Sequence, residues 1–311
     1  MAEGVDELSW DEARELLSPV LRPITEPAQA WRVALADPSA ALVRTTSLPM
    51  LHTLVAIEFD QQRMFVSRAQ ADSWGVDPAE VVRQATENLA ARATEGLRPR
   101  IEYGLWQLAS GDGLEASRLI LPGWLAGFRD TVKGRPVAIV PAPRVLLVGG
   151  DEAVGQIERL VSLGADGYRG AAQGLSPVPY TVDDHGKVVP WGPAEHPLGA
   201  AARASQRLLD VMCYAAQRDQ LADAELGHVP VVKLLREGDE SFTVCPWGPH
   251  EGGTLLAETD LVQIDDGPLV PFSAVRKLAG GALEATPLRP TRWRARWPAQ
   301  ATRDKLAAHA R

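Results

Sequence analysis

The sequence predicts a mixed α+β fold, with mixed sheets, packed helices and two modules. Three observations lead there. Short apolar runs of strand length alternate with helical patterns, but not in a regular βαβ order. Hydrophobic residues make up 45% and charged residues 23%, the ordinary globular mixture, which excludes a wholly disordered or collagen-like chain. The 311 residues suffice for about two domains of roughly 100–200 residues each.

The elements follow in chain order. Ser9-Trp10-Asp11-Glu12 is a capping box, and Leu16, Leu17, Val20 and Leu21 give the predicted first helix an apolar face that Pro23 ends. Proline-interrupted polar sequence continues to Ala40. Strands are predicted at Ala41 to Thr46, Leu51 to Phe59 and Arg63 to Ser67, the last two joined by the turn Asp60-Gln61-Gln62. Asp77-Pro78 opens a helix with the stripe Val81, Val82, Ala85 and Leu89, and Gly96 stops it. Leu105 to Leu108 is a short strand.

Trp124, Phe128 and Val132 recur at helical spacing, so Leu114 to Val132 is read as a helix started or kinked by Pro122. Pro136 to Pro141 and Val145 to Val148 are strands. Asp151 is expected to cap a helix carrying Val154, Ile157, Leu160 and Val161, with Gly164 as its stop. Asp183-Asp184-His185-Gly186 marks a hairpin turn between Tyr180-Thr181-Val182 and Lys187-Val188-Val189. A long helix runs roughly from Ala200 to Glu225, and strands follow at Val231 to Leu235, Ser241 to Cys245 and Leu261 to Ile264. The division expected is 1–195, 196–286 and a basic strand and helix over 287–311. Pro190-Trp191-Gly192-Pro193 recurs as Pro246-Trp247-Gly248-Pro249, each after a strand, but four residues do not establish a duplication.

Charge is unevenly spread. Six Arg, one Lys and one Asp give residues 287–311 a net charge of +6, against −8 overall, which leaves −14 for residues 1–286. An acidic whole argues against general coating of nucleic acid. The two cysteines, Cys213 and Cys245, exclude a disulfide scaffold and fit buried reduced thiols. The acidic start lacks the order of a signal peptide, and the longest strongly apolar stretch, Leu119 to Phe128, is ten residues where a span needs about 20. A cytoplasmic protein without a membrane role is expected.

Candidate chemistry is sparse. Val145 to Glu152 has the strand–glycine–helix context of a phosphate loop, but its spacing is wrong and Asp151 and Glu152 stand where phosphate would sit; a capped helix is preferred. Asp183, Asp184, His185, Glu195 and His196 have metal-ligand chemistry without metal-ligand spacing, as do His250 and Glu251, and read as loop residues. His52 lies in a strand pattern and reads as packed. No nucleophile elbow or SxxK motif occurs. Neither a metal nor a cofactor is expected, and no catalytic residue is assigned.

Two patterns remain as candidate sites. Arg44, Asp112, Ser117 and Arg118 would form an anion pocket if the fold brought them together; capping and ion pairing are the simpler account. Arg292-Trp293-Arg294-Ala295-Arg296-Trp297 alternates as an amphipathic strand. Arg292, Trp293, Arg294, Arg296 and Trp297 would suit a nucleic acid or a protein partner, while an edge strand docked on the acidic body by its Trp face is preferred.

Several short segments occur in one order: Val43-Arg44-Thr45-Thr46-Ser47-Leu48-Pro49, Trp74 with Asn88-Leu89, Asp112-Gly113 with Ala116-Ser117-Arg118, Pro136 to Pro141 followed by Val145-Leu146, and the Leu175 to Lys187 hairpin. In that order they resemble the YtpQ-like bacterial family, over about residues 40–192. The resemblance implies a compact α+β domain in a bacterial cytosol, and it supplies no reaction, cofactor or catalytic residue. The chain departs from the family at Arg144, where an acidic residue is usual after the Val-Pro pair.

The leading expectation is a non-catalytic cytoplasmic binding or adaptor protein whose partner is another protein or a small anionic ligand. The alternative is an enzyme acting on a phosphorylated or carboxylated small molecule. Nucleic-acid binding through the Arg/Trp tail is a third, disfavoured reading.

Overall fold

The computed structural model describes residues 8–25, 38–59, 62–94, 96–100, 104–222 and 226–311. The expected turn residues Asp60 and Gln61, the polar stretch over 26–37 and the far end of the long helix at 223–225 lie outside the described residues. Among the described residues the architecture is α+β, with four sheets and packed helices, and the chain divides into two compact units, Met1–Ser205 and Gln206–Arg311. The unit boundary falls ten residues later than the expected seam, inside the long helix, and residues 287–311 belong to the second unit.

The capping box holds, with the Ser9 amide and hydroxyl donating to Glu12 Oε2 at 3.0 and 2.6 Å. The helix it starts is only α1 (Trp10–Ala13), followed by a 3-10 turn over Arg14–Leu16 and then a strand, β1 (Leu17–Pro23). The expected helix through Leu21 is therefore corrected. Pro19 lacks an amide hydrogen and disfavours helical geometry at Ser18. Residues 17–21 are buried consecutively, as a strand covered on both faces allows.

β3 (Leu51–Phe59) is the centre of the first sheet, with β1 along one side and β2 (Arg44–Leu48) and β4 (Gln62–Phe65) on the other. β1 is an edge strand, where a proline is tolerated. A short α2 (Arg68–Ser73) precedes α3 (Pro78–Arg92), which starts where Asp77 accepts the Ala79 amide at 2.7 Å. Its stripe of Val81 and Ala85 packs with Leu17, Val55 and Ile57 in one core. Leu89 joins Val20, Ala56, Leu114 and Leu121 in another.

The second sheet of this unit has six strands in the order β10-β9-β7-β8-β6-β5. They are β5 (Arg98–Arg100), β6 (Leu105–Leu108), β7 (Pro136–Ala142), β8 (Val145–Gly150), β9 (Pro179–Val182) and β10 (Val188–Pro190). Between β6 and β7 the expected helix over 114–132 is corrected to two 3-10 turns, Ala116–Ile120 and Leu125–Phe128. Pro122 cannot donate, and Gly123 adopts a left-handed φ of 74°, so the helix cannot propagate. Trp124 and Phe128 still meet edge to face, with centroids 4.8 Å apart.

α4 (Val154–Gly170) packs Ile157 and Leu160 on Leu105, Val137, Ile139 and Leu147. Two details of its reading are corrected. Asp151 is not its cap: Ala153 stands there, and Asp151 Oδ1 accepts the Arg135 amide at 2.7 Å. Gly164 does not stop it but lies within it. Gly150 answers a packing need, since a Cβ there would lie 2.0 Å from the Lys133 carbonyl.

α5 (Gly199–Leu221) crosses the unit boundary. The second unit contains β11 (Lys233–Glu237), β12 (Glu240–Trp247), β13 (Thr254–Ala257), β14 (Leu261–Ile264) and β15 (Leu269–Pro271). α6 (Phe272–Ala279), β16 (Leu283–Ala285), β17 (Arg292–Ala295) and α7 (Gln300–Ala307) complete it. Its sheets run β11-β12-β14-β15 and β13-β17-β16, with β12 and β14 parallel.

Candidate anion-binding site

Gly111-Asp112-Gly113 builds a tight turn with left-handed φ at both glycines, 78° and 72°. Asp112 locks it: its Oδ1 accepts the Leu114 amide at 2.9 Å and the Ser110 hydroxyl at 2.7 Å. Its Oδ2 accepts from Arg118 Nη1 at 2.6 Å. Burial pushes the Asp112 carboxyl up, but these three donors outweigh it and hold the group below its ordinary range. The Arg118 side chain is fully buried and also donates to the Leu114 carbonyl at 3.2 Å. Ser117 is buried too, and its hydroxyl accepts the Leu21 amide at 3.2 Å.

Of the four residues that would form an anion pocket if brought together, the fold joins Asp112 to Arg118 in an ion pair and seats Ser117 beside them, facing β1. Arg44 is elsewhere, exposed on β2 and lining neither of two cavities of this unit. The smaller of these, about 480 Å³, is bordered by Thr45, Thr46, Ser47 and Lys187. Arg118 and Ser117 hold the protein together rather than facing a ligand.

The cations that do face a cavity are others. A cavity of about 660 Å³ opens on the Gly111–Gly113 turn and is lined by Arg22, Arg63 and Arg144, with Glu58, Phe59, Gln62, Asp112 and Gln173. Arg22 comes from β1, Arg63 from β4, and Arg144 from the two-residue turn between β7 and β8. That turn is pinned from below, because the Ala116 amide donates to the Pro143 carbonyl at 3.2 Å.

Two guanidinium groups lie over Gly113, whose φ of 72° favours glycine. A Cβ there would lie 3.6 Å from Arg144 Nε, and 3.9 Å from both Arg144 Nη2 and Arg63 Nη2. Arg63 and Arg144 therefore converge on one face of one glycine. Glu58 answers part of this charge, with Arg63 Nη2 at 2.6 Å and Arg92 Nη1 at 3.5 Å. Asp112 is committed to Arg118. Arg144 makes no ion pair or hydrogen bond among the described residues and is exposed. Among the described residues, Arg144 thus brings to the cavity a positive charge that no carboxylate pairs, a feature suited to holding an anion.

The Arg/Trp segment is arranged differently from its alternation. β17 is the middle strand of its sheet, not an edge. Arg292 is fully buried, donating to Gln217 Oε1 at 2.7 Å, the Leu255 carbonyl at 2.8 Å and the Tyr214 carbonyl at 3.3 Å. It presents nothing to an external partner. Trp293 is half-buried between Phe272 and the Arg276 guanidinium and donates to Glu258 Oε2 at 3.3 Å. Trp297 packs on Trp247, with Arg303 over its ring. Arg294 and Arg296 remain exposed.

Among the described residues no group of three or more His, Cys, Asp or Glu could hold a metal ion. His52 is buried, with Nδ1 3.4 Å from the Thr46 hydroxyl. His228 and His250 stack at 3.7 Å between centroids. Trp191 and Trp247, from the repeated Pro-Trp-Gly-Pro, both fold inwards at strand ends. In the second unit, burial and the nearby Asp260 push the Asp210 carboxyl up to about 6, while Asp260 accepts the Thr243 amide at 2.8 Å. No helix of the described residues is long and apolar enough to cross a membrane.

The arginine-lined cavity defines a candidate small-anion site in an α+β protein. No family model, curated protein or solved structure matches the chain.

Proposed function

We propose that the protein is a non-catalytic cytoplasmic binding protein for a small anionic ligand, taken up in the Arg22–Arg63–Arg144 cavity. The observation that carries this reading is the approach of Arg63 and Arg144 to the same face of Gly113, in a cavity far larger than one water. Guanidinium groups offer forked donors that match carboxylate and phosphate oxygens.

A binding role is preferred to catalysis because Asp112, the lining carboxyl with a displaced titration, is held ionised by three donors and is unsuited to proton transfer near neutrality. The cytoplasmic placement rests on the sequence, as does the resemblance to the YtpQ-like family. On that resemblance, Arg144 replaces an acid with the cation that makes the cavity basic.

The test is titration calorimetry with phosphate, citrate and succinate, using the wild type and Arg144→Glu. At least one anion should bind the wild type, and charge reversal should weaken it by tenfold or more. Equal binding by both proteins would remove the cavity as the site.

A further inference from the structure

We propose that the ligand of this cavity is a phosphomonoester of a small polyhydroxylated molecule, a sugar phosphate in chemical class, with its phosphate over Gly113 between Arg63 and Arg144. This rests on the anion-binding reading above and specifies its ligand.

The argument begins with what the walls offer. Arg63 and Arg144 reach the same face of Gly113 from two different hairpins, with guanidinium nitrogens at 3.6–3.9 Å from where a Cβ would stand. A tetrahedral phosphate presents three oxygens in different directions and can take two guanidinium groups arriving from separate sides. A planar carboxylate is met best by one fork.

Besides the guanidinium groups, the lining holds hydrogen-bonding groups of both kinds. Glu58 and Asp112 line the same cavity, and an ionised carboxylate only accepts hydrogen bonds. Both are answered by arginines and leave acceptor capacity that suits hydroxyl donors. Gln62 and Gln173 add amides that both donate and accept, as sugar hydroxyls require. The space of about 660 Å³ accommodates a body well beyond the phosphate itself. The cavity therefore offers cations for a phosphate together with donors and acceptors for hydroxyls.

The experiment is calorimetry on the full chain with glucose 6-phosphate, ribose 5-phosphate and glycerol 3-phosphate, alongside inorganic phosphate, glucose and citrate. At least one of the three esters should bind tenfold or more tightly than inorganic phosphate, and glucose should not bind. Gln173→Ala, at an exposed position, should reduce ester affinity several-fold and leave phosphate affinity unchanged. Arg144→Glu should abolish both. If no ester exceeds inorganic phosphate, the polyhydroxyl body is wrong. If citrate binds more tightly than every ester and depends on Arg144, the phosphomonoester is wrong while the anion site stands. If no anion binds, both readings fall.

Discussion

Asp112 and Arg118 form an ion pair in which the cation is wholly buried and the anion is partly open to a cavity. Arg118 Nη1 lies 2.6 Å from Asp112 Oδ2, with side-chain exposures of 0% and 29%. Arg118 acts from inside the protein, fixing the turn on which the cavity opens. Asp112→Asn leaves that guanidinium without its carboxylate. The expected loss is about 3 kcal/mol, seen as a lower urea midpoint with an unchanged denaturant slope. A change below about 0.5 kcal/mol would mean that the pair adds nothing to the fold.

Arg292 is a second buried cation, answered by carbonyl and amide oxygens and by the Tyr214 ring 5.2 Å from its centre. Arg292→Met keeps much of the volume but strands three acceptors. It should destabilise the protein by about 2–4 kcal/mol, measured by urea denaturation. Arg294→Ala, at an exposed position on the same strand, should shift the midpoint by less than about 0.5 kcal/mol.

Glycines separate packing from propensity. At Gly150 a Cβ would collide with the Lys133 backbone, whereas at Gly155, in the first turn of α4, it would meet nothing within 4 Å. Gly150→Ala should cost about 3 kcal/mol or more, since backbone must move. Gly155→Ala should stabilise by about 0.5 kcal/mol. Thermal melts of the two variants, scanned against the parent, test both signs.

The pH dependence of stability should carry a contribution from Asp210. Its carboxyl is pushed up to about 6 in the folded protein from 3.8. The folded state thus binds the proton more tightly than the unfolded one. This contribution is fully present below pH 3.8 and is lost as pH rises through about 6. Asp210→Asn retains the oxygen that accepts from Gln206 Nε2. It should raise the melting temperature at pH 8 and leave it nearly unchanged at pH 4; a drop at pH 8 would contradict the assignment.

Both thiols should be silent in the native protein. Burial pushes Cys213 up to about 12 and Cys245 up to about 11, so almost no thiolate is present at pH 8. Alkylation by iodoacetamide, followed by mass spectrometry, should label neither until denaturant is added. Rapid labelling of either would show that its site opens.

The order of elements was legible where local chemistry and tertiary packing agree. Leu51–Phe59 and Leu105–Leu108 read directly as strands, and Asp77-Pro78 marked the start of α3. Errors arose where periodicity ignored a breaker. Leu16, Leu17, Val20 and Leu21 fit a helical face, yet Pro19 turns the same residues into a strand. Trp124 and Phe128 kept their spacing in a single turn, which sufficed to pair their rings.

The candidate site was legible only at Asp112. Arg118 was identified as a cation near it, but no local pattern distinguishes a buried guanidinium from one facing a ligand. Arg22, Arg63 and Arg144 lie on three separate hairpin or strand segments, and only the fold brings them round Gly113.

The middle position of β17 bears on how the chain is made. β13 and β16 pair with Arg292–Ala295 from either side and not with each other. On the ribosome, that sheet cannot close until the strand that joins its halves has left the exit tunnel. Buried Arg292 would arrive with it and take its place against Tyr214 and Gln217. Until then the unit offers two unpaired strand edges to its neighbours, which makes this interval of synthesis its point of greatest exposure to misassembly.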